Sequence, residues 1–243
     1  MKTIHIACLS LVVMLSSCKN EPQEEQFSAA EIQEHSAALN QYFEEQFQVE
    51  VSESPMMQTR MGLKTDYGQW DDFSHTRFAK ELEQARTRLD HLEKVDTAAL
   101  NEETRLSYDL YRKQIEDEIA DYDFRFYNYP INQMHGYHAE LPSFLINMHR
   151  IDSVPDAKAY ISRLVGMEKA LEDIVEGLRL REQNGIIPPK FVFDRTLDAS
   201  RNLIKGKPFQ KSSESSVLLE DFQKKGNKLA ISEDQKTGLI GEA

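Results

Sequence analysis

The stretch SVPDAKAYISRLVGMEKALEDIVEGLRLREQNG, residues 153–185, decides the fold. Pro155 fits the first turn of a helix, where the amide that proline lacks would have no partner, and Asp156 can cap that turn. Asn184-Gly185 supplies a stop. Between these ends, apolar residues recur at intervals of three and four, which predicts one long amphipathic helix. Its apolar face comprises Tyr160, Leu164, Met167, Leu171, Ile174, Val175 and Leu178.

Cap signals and the same periodicity predict further helices on both sides of this one. Ser28 and Glu31 form a capping box that begins a first helix, and Ser54-Pro55 opens a short second helix. The chain is therefore predicted to be all-α, a multi-helix array of amphipathic helices. The remaining predicted helices span 75–95, 102–122, 191–205 and 218–225, with a last one after Ser232.

Three other features carry structural predictions. Leu106 and Leu110 are placed on the apolar stripe of the helix over 102–122. The aromatic run DYDFRFYNYP, residues 121–130, is predicted to be an extended segment packed on the helices, because no second strand is evident to pair with it. Asp71 and Asp72 follow the only tryptophan, and we interpret them as solvated turn formers in a loop.

The first 17 residues, MKTIHIACLSLVVMLSS, have the pattern of a secretory signal peptide. Their apolar run is too short for a membrane span, which needs about 20 apolar residues. Leu15-Ser16-Ser17-Cys18 then fits a bacterial lipobox, in which the Cys18 thiol receives a diacylglyceryl group. The alternative is a chance cysteine after an ordinary secretory signal. We expect a signal peptide over 1–17, a polar tether over 18–27 and a helical domain over 28–243.

Lipidation at Cys18 predicts where the protein lies. Several acyl chains bury many methylene groups, at about 0.8 kcal/mol each, and so anchor a protein to a membrane without a transmembrane helix. Lys19 and the acidic tether favour an outer-membrane lipoprotein of the cell envelope, either periplasmic or surface-exposed.

Charge and cysteine content exclude several classes of function. The formal net charge is −12, from 29 basic and 41 acidic residues, which argues against nucleic acid as a partner. The two cysteines are Cys8, inside the signal peptide, and Cys18, under the lipid. The mature chain then has no free thiol, which excludes disulfides, cysteine nucleophiles and thiolate zinc sites.

The stretch NQMHGYHAELP, residues 132–142, is the first candidate for a catalytic or metal site. On a helix, His135 and His138 would lie one turn apart and could share a metal ion, but Glu140 would point elsewhere. The glycine and the proline inside the stretch also weaken such a helix. We therefore predict a structural or cleft-lining loop without a metal. The possible cleft-lining residues are Gln133, His135, His138 and His149.

Complete catalytic motifs are missing from the sequence. None of the seven histidines is followed by glutamate, so the HExxH pattern of zinc peptidases does not occur. The serine-hydrolase elbow, the phosphate-binding P-loop and the dinucleotide-binding glycine turn are not found either. We accordingly predict no catalytic residue and no cofactor site in this chain.

Three ordered blocks resemble the bacterial family catalogued as domain of unknown function 885. They are SPMMQTRMGLKTDYGQWDDFS at 54–74, YPINQMHGYHAELPSFLINMHRIDSVPDAKAYISRL at 129–164 and LREQNGIIPPKFVFD at 180–194. The resemblance implies an exported helical protein similar to zinc metallopeptidases, with peptide or protein substrates. The family pattern matches Gln133 and has no requirement for His135 or His138, which makes Gln133 a better functional candidate than either histidine. It further implies that the metal motif lies in a carboxy-terminal half beyond Ala243, so that this chain is the amino-terminal half of a larger zincin-like fold.

Two hypotheses follow. In the first, the chain walls part of a substrate cleft, lacks the zinc-binding catalytic half and is inactive alone, its last helix being cut short at Ala243. In the second, it is a non-catalytic helical envelope lipoprotein that binds peptides or protein partners through the aromatic segment from Tyr122 to Tyr129.

Overall fold

Helices form all the regular secondary structure of the residues that the structure, a computed structural model, describes, which are 27–243. The prediction of an all-α fold is confirmed. The predicted signal peptide, the lipidated Cys18 and the tether before Phe27 lie outside the described residues. The helices are α1 (Ala29–Glu53), α2 (Pro55–Arg60), α3 (Arg77–Leu92), α4 (Glu102–Asp121), α5 (Tyr137–Asn147), α6 (Val154–Gln183), α7 (Phe191–Leu203), α8 (Val217–Gly226) and α9 (Glu233–Glu242).

Side-chain caps begin several helices where the sequence predicts them. The hydroxyl of Ser28 accepts a hydrogen bond from the amide of Glu31, whose carboxylate accepts one from the amide of Ser28. Ser232 begins α9 with the same kind of box. Such caps satisfy amides that have no partner within the helix, and each stabilises it by about 1 kcal/mol.

Asp71 departs from the prediction of a solvated turn former. Its carboxylate accepts hydrogen bonds from the Ser54 hydroxyl, at 2.9 Å, and from the Met56 amide, at 2.8 Å. Asp71 therefore caps the start of α2 from a distant part of the sequence. Asp72 is exposed and accepts a hydrogen bond from the Ser74 amide, as a turn former does.

The first core is formed by α1 and the hairpin of α3 and α4. The prediction that Leu106 and Leu110 face this core is wrong, because they are 59% and 64% exposed. Thr104 and Tyr108 face inward instead, and the Thr104 hydroxyl accepts a hydrogen bond from Asn40 of α1. Residues two positions apart on a helix point in directions about 200° apart, so Leu106 and Leu110 face outward when Thr104 and Tyr108 face inward.

The second core surrounds α6, which runs from Val154 to Gln183 as predicted. Its buried side chains contact those of α5, α8 and α9. Val175 is 41% exposed, although the sequence places it on the apolar face. Arg163 and Arg181 are buried on that face, with exposures of 0% and 5%. The interior of this domain therefore contains two arginines.

Two local predictions fail between the cores. Residues Tyr122–Phe124 form a 3-10 turn where an extended segment is predicted. Residues 137–142 belong to α5 where a loop is predicted. Gly136 allows the turn before α5, because it has φ 144° and a Cβ there would lie 2.8 Å from the Ile131 Cα. Pro142 is tolerated inside α5, where it is buried.

Arg163 joins four segments of the chain. Its guanidinium donates to the carbonyl of Gln69 at 2.9 Å, to the hydroxyl of Thr59 at 2.8 Å and to the carbonyl of Pro55 at 3.3 Å. It also lies 3.0 Å from Nδ1 of His149. The aromatic rings of Tyr67, Trp70 and Phe144 surround it, with centroids at 5.4, 5.5 and 4.9 Å.

Burial lowers the pKa of Arg163 to about 10, so the side chain remains charged at neutral pH. A buried cation is tolerated when its donors are satisfied, and neutral oxygens and one imidazole nitrogen satisfy this one. The Trp70 indole in turn donates to the Arg163 carbonyl at 2.8 Å. Helix α2, the loop over 63–76 and the α5–α6 connection are thus held to one point on α6.

We predict that Arg163→Met lowers the free energy of unfolding by at least about 3 kcal/mol. The substitution leaves several buried acceptors without a donor, each at a cost of about 1–3 kcal/mol. Chemical denaturation followed by circular dichroism measures the change. Arg179→Met is the matched control, because Arg179 is exposed on the same helix. Equal stabilities of the two variants would contradict this role for Arg163.

Candidate functional site

A groove of about 350 Å³ lies between the second half of α6 and α7. Its walls are mostly apolar, as is usual for ligand sites of this size. Ile187, Phe193 and Leu197 are about half exposed at its mouth. The remaining lining residues are Tyr129, Pro130, Ile131, Val175, Leu178, Arg179, Arg181, Glu182, Ile186, Pro188, Val192 and Thr196. We call this feature the α6–α7 groove.

The chain reversal after α6 creates the α6–α7 groove. Gly185 adopts φ 76°, and the amide of Ile186 donates to the Arg181 carbonyl, which ends the helix. Pro188 follows and cannot extend it. Helix α7 then packs on α5 and stands away from α6, and Pro130 and Ile131 close the space between them. The groove thus combines residues from the second and third family-like blocks.

Arg181 lies in the wall of the α6–α7 groove and also lines a second, smaller cavity of about 80 Å³. Its guanidinium donates to the side-chain oxygen of Asn128 at 2.6 Å and to the carbonyl of Gly177 at 2.9 Å. Burial lowers its pKa, and the positive charge of Arg77 lowers it further. The other lining residues of the small cavity are Phe73, His75, Arg77, Phe78, Asn128, Pro130, Tyr137, Asp173, Ile174 and Gly177.

Gln133 and His135 are exposed at the tip of a tight turn. Asn132 holds this turn, because its side-chain oxygen accepts hydrogen bonds from the amides of Met134, at 2.9 Å, and His135, at 2.8 Å. The Asn132 amide donates to the His135 carbonyl at 2.9 Å. The turn lies directly after Ile131, which lines the α6–α7 groove, but Gln133 and His135 do not line the groove.

His138 lies at the start of α5 and lines a separate cavity of about 220 Å³ between α5 and α7. Its Nδ1 atom is buried and makes no hydrogen bond to any described residue. Burial lowers the pKa of His138, while the carboxylate of Glu140 raises it slightly. The lowered pKa favours the neutral imidazole, and apolar residues such as Ala199 and Leu203 line the same cavity.

His149 is buried in the Arg163 cluster, with an exposure of 1%. Because arginine can only donate, Nδ1 accepts from Arg163, and Nε2 donates to the carbonyl of Asp156 at 3.0 Å. The ring stacks on Tyr67 with centroids 4.1 Å apart. Burial lowers the pKa of His149 to about 4, with a further contribution from the charge of Arg163.

The four residues predicted as cleft-lining thus lie in three environments: an exposed turn, a side cavity and the protein interior. Sequence reasoning missed Arg163 and Arg181, although a signal for them was present. Both arginines lie on one stripe of α6, whose residues recur at spacings of three, four and seven. The stripe comprises Tyr160, Arg163, Ala170, Ile174, Gly177 and Arg181. Charged residues at the core positions of such a stripe predict buried polar clusters.

Metal ligands are not clustered in this part of the chain. Across residues 27–243, no group of three or more histidine, cysteine, aspartate and glutamate side chains is placed to hold a metal ion. The zinc that the family resemblance implies therefore finds no ligand set among these residues. None of the helices between Ala29 and Glu242 has the length and apolarity that a bilayer span requires.

Comparison with known proteins identifies one family. The family model described as "Bacterial protein of unknown function (DUF885)" matches residues 55–243, which include the α6–α7 groove, the two cavities and the Arg163 cluster. Searches of curated proteins and of solved structures returned no match.

We predict that His149 makes stability depend on pH below neutrality. Its folded pKa of about 4 lies below the ordinary value of 6.5, so neutral His149 stabilises the fold fully above about pH 6.5. This stabilisation, about 3 kcal/mol, is lost as the pH falls from about 6.5 to about 4. Denaturation curves recorded at several pH values measure the loss.

His149→Gln should flatten this pH dependence, since glutamine does not titrate. His135→Gln, at an exposed histidine, serves as control and should keep the wild-type slope. Parallel pH profiles of wild type and His149→Gln would show that His149 is not the group responsible.

Proposed function

This chain belongs to the DUF885 family, and we propose that it is the substrate-holding helical region of an exported lipoprotein similar to zinc-dependent metallopeptidases. In this proposal Cys18 anchors the protein to the outer membrane, and the α6–α7 groove holds a segment of a peptide or protein substrate. The metal-binding catalytic half is not contributed by residues 27–243. Zinc would be the cofactor of the whole protein.

The α6–α7 groove is the observation that carries the proposal. Its volume of about 350 Å³ accommodates a few side chains of an extended peptide. Phe193 and Leu197 lie one turn apart on α7 and are both 47% exposed, so they present an apolar edge to a ligand. Arg179 and Glu182 line the same groove with polar groups. Apolar walls with a few polar groups suit recognition of apolar side chains on a polar backbone.

A second candidate is the non-catalytic lipoprotein that binds partners through the segment from Tyr122 to Tyr129. The observation in its favour is the exposure of this segment, in which Phe124 is 62% and Tyr127 68% exposed. Exposed aromatic side chains often anchor protein–protein contacts. Because Phe124 lies outside the α6–α7 groove, substitutions distinguish the two candidates.

We predict that Phe193→Asp weakens peptide binding at least about tenfold, because it removes an apolar contact and places a charge at the mouth of the groove. The probe is a fluorescein-labelled decapeptide of alternating leucine and serine with a free carboxyl terminus. Fluorescence anisotropy measures its dissociation constant with the purified protein.

Phe124→Asp is the matched control, since it makes the same change at another exposed phenylalanine. It should leave the affinity unchanged within a factor of about two. A loss of binding in Phe124→Asp together with normal binding in Phe193→Asp would favour the second candidate. Wild-type protein that does not bind the probe would contradict the proposal.

A further inference from the structure

The small cavity beside the α6–α7 groove has a positive electrostatic character. Arg181 is 5% exposed, and its hydrogen bonds within residues 27–243 go to neutral oxygens of Arg125, Gly177 and Asn128. Its positive charge is therefore not compensated by a carboxylate in direct contact. An uncompensated buried cation favours binding of an anion nearby, because burial weakens the screening by water.

Arg77, the first residue of α3, adds a second positive charge. Its Nε atom is buried and makes no hydrogen bond to any described residue. Glu81, one turn along α3, forms a partly exposed ion pair with this Nε at 3.6 Å, a distance longer than a hydrogen bond. One Nη donates to the carbonyl of Asp72 at 3.3 Å. Arg77 and Arg181 line the same cavity, and the positive charge of Arg77 contributes to the lowered pKa of Arg181 after burial.

Other polar groups in the wall are consistent with an anion. The Nδ1 atom of His75 is buried without a hydrogen bond among the described residues and lies 3.8 Å from a carboxylate oxygen of Glu176. Tyr137 contributes a phenol that can donate. Asp173 is the only acidic residue in the lining, and its carboxylate forms an ion pair with Lys169.

The size and position of the cavity limit what can bind. A volume of about 80 Å³ admits a carboxylate group or a phosphate but not a whole amino acid. Arg181 and Pro130 line both this cavity and the α6–α7 groove, so the cavity lies at the wall of the groove. Gly177 also lines the small cavity, and a Cβ there would lie 3.3 Å from Arg181 Nη1.

We propose that this cavity binds a small oxyanion, the terminal carboxylate of a peptide whose preceding residues lie in the α6–α7 groove. The inference rests on the proposed function and narrows the substrate class to peptides with a free carboxyl terminus. Arg77 supplies a buried Nε–H that makes no hydrogen bond among the described residues, and Arg181 supplies a second positive charge in the same wall. A carboxylate that accepts from arginine forms a charge-assisted hydrogen bond, which is stronger than a neutral one.

The test compares two fluorescein-labelled decapeptides of alternating leucine and serine, one with a free carboxylate and one with a carboxamide. Fluorescence anisotropy should show that the wild-type protein binds the carboxylate form about tenfold more tightly. Arg77→Met should reduce this ratio to about one. Arg86→Met is the matched control, because Arg86 is exposed on the same helix, and it should keep the wild-type ratio.

Arg77→Lys is a second variant that tests the site even if Arg77→Met does not fold. Lysine keeps the charge but not the Nε donor, so the ratio should fall to an intermediate value while circular dichroism stays native. A wild-type ratio in a folded Arg77→Lys protein would overturn the assignment of the Nε donor. Equal affinities of the wild-type protein for the two peptides would overturn the carboxylate site itself.

Inorganic phosphate tests the anion site in the small cavity independently of peptide binding in the α6–α7 groove. Phosphate should raise the melting temperature of the wild-type protein and of Arg86→Met, but not that of Arg77→Met, and it should compete with the carboxylate peptide. If phosphate acts in this way and neither peptide binds, the proposed function fails and the cavity is a site for a free oxyanion. If phosphate has no effect and the two peptides bind equally, the anion site fails and the groove remains.

Discussion

The guanidinium of Arg163 is a positive charge in the interior of a helical protein, and its neighbours are arranged to satisfy it. A buried arginine must find acceptors for its donors, since each unsatisfied donor would cost free energy. The acceptors come from α2, from Gln69 in the following loop and from His149 before α6. Helix α2 and Gln69 lie about a hundred residues before Arg163 in the sequence and His149 lies 14 residues before it, so the requirement of one side chain fixes much of the second core.

The same requirement explains the state of His149. A histidine that accepts from arginine must be neutral at Nδ1, and its stacking on Tyr67 holds the ring in place. Histidines attract attention as possible catalysts because they titrate near neutral pH. Here burial and a neighbouring cation hold the pKa of this histidine far below that range, so the residue serves the fold.

Local signals in the sequence predict most of the helices, and distant contacts explain where prediction fails. The Ser28 and Ser232 caps are predictable because each involves residues three apart. The inward face of α4 is not predictable from local signals, because a residue of another helix, Asn40 of α1, donates to Thr104 and so orients Thr104 inward rather than Leu106. Helix α5 forms despite Pro142 because Leu141, Phe144 and Leu145 are buried, and propensity yields to such burial.

The candidate site is less predictable from the sequence than the fold. The α6–α7 groove exists because α7 packs on α5 rather than on α6, which no periodicity reveals. The sequence shows Arg181 as a charged residue on an apolar stripe. The α6–α7 groove and the small cavity that it lines are not predictable, because their walls include Pro130 and Arg77, each more than 50 residues away in the sequence. Both buried arginines donate to neutral oxygens, yet Arg181 lines two cavities whereas Arg163 is enclosed by aromatic rings.

Side-chain hydrogen exchange of Arg163 tests the central role of this residue most directly. Its Nε–H donates to the Gln69 carbonyl at 2.9 Å from a side chain with no exposed surface. In ¹H–¹⁵N correlation spectra recorded after transfer to D₂O, this signal should persist as long as those of the slowest backbone amides, because exchange then requires global unfolding. Disappearance of the signal as fast as those of exposed arginines would contradict the account.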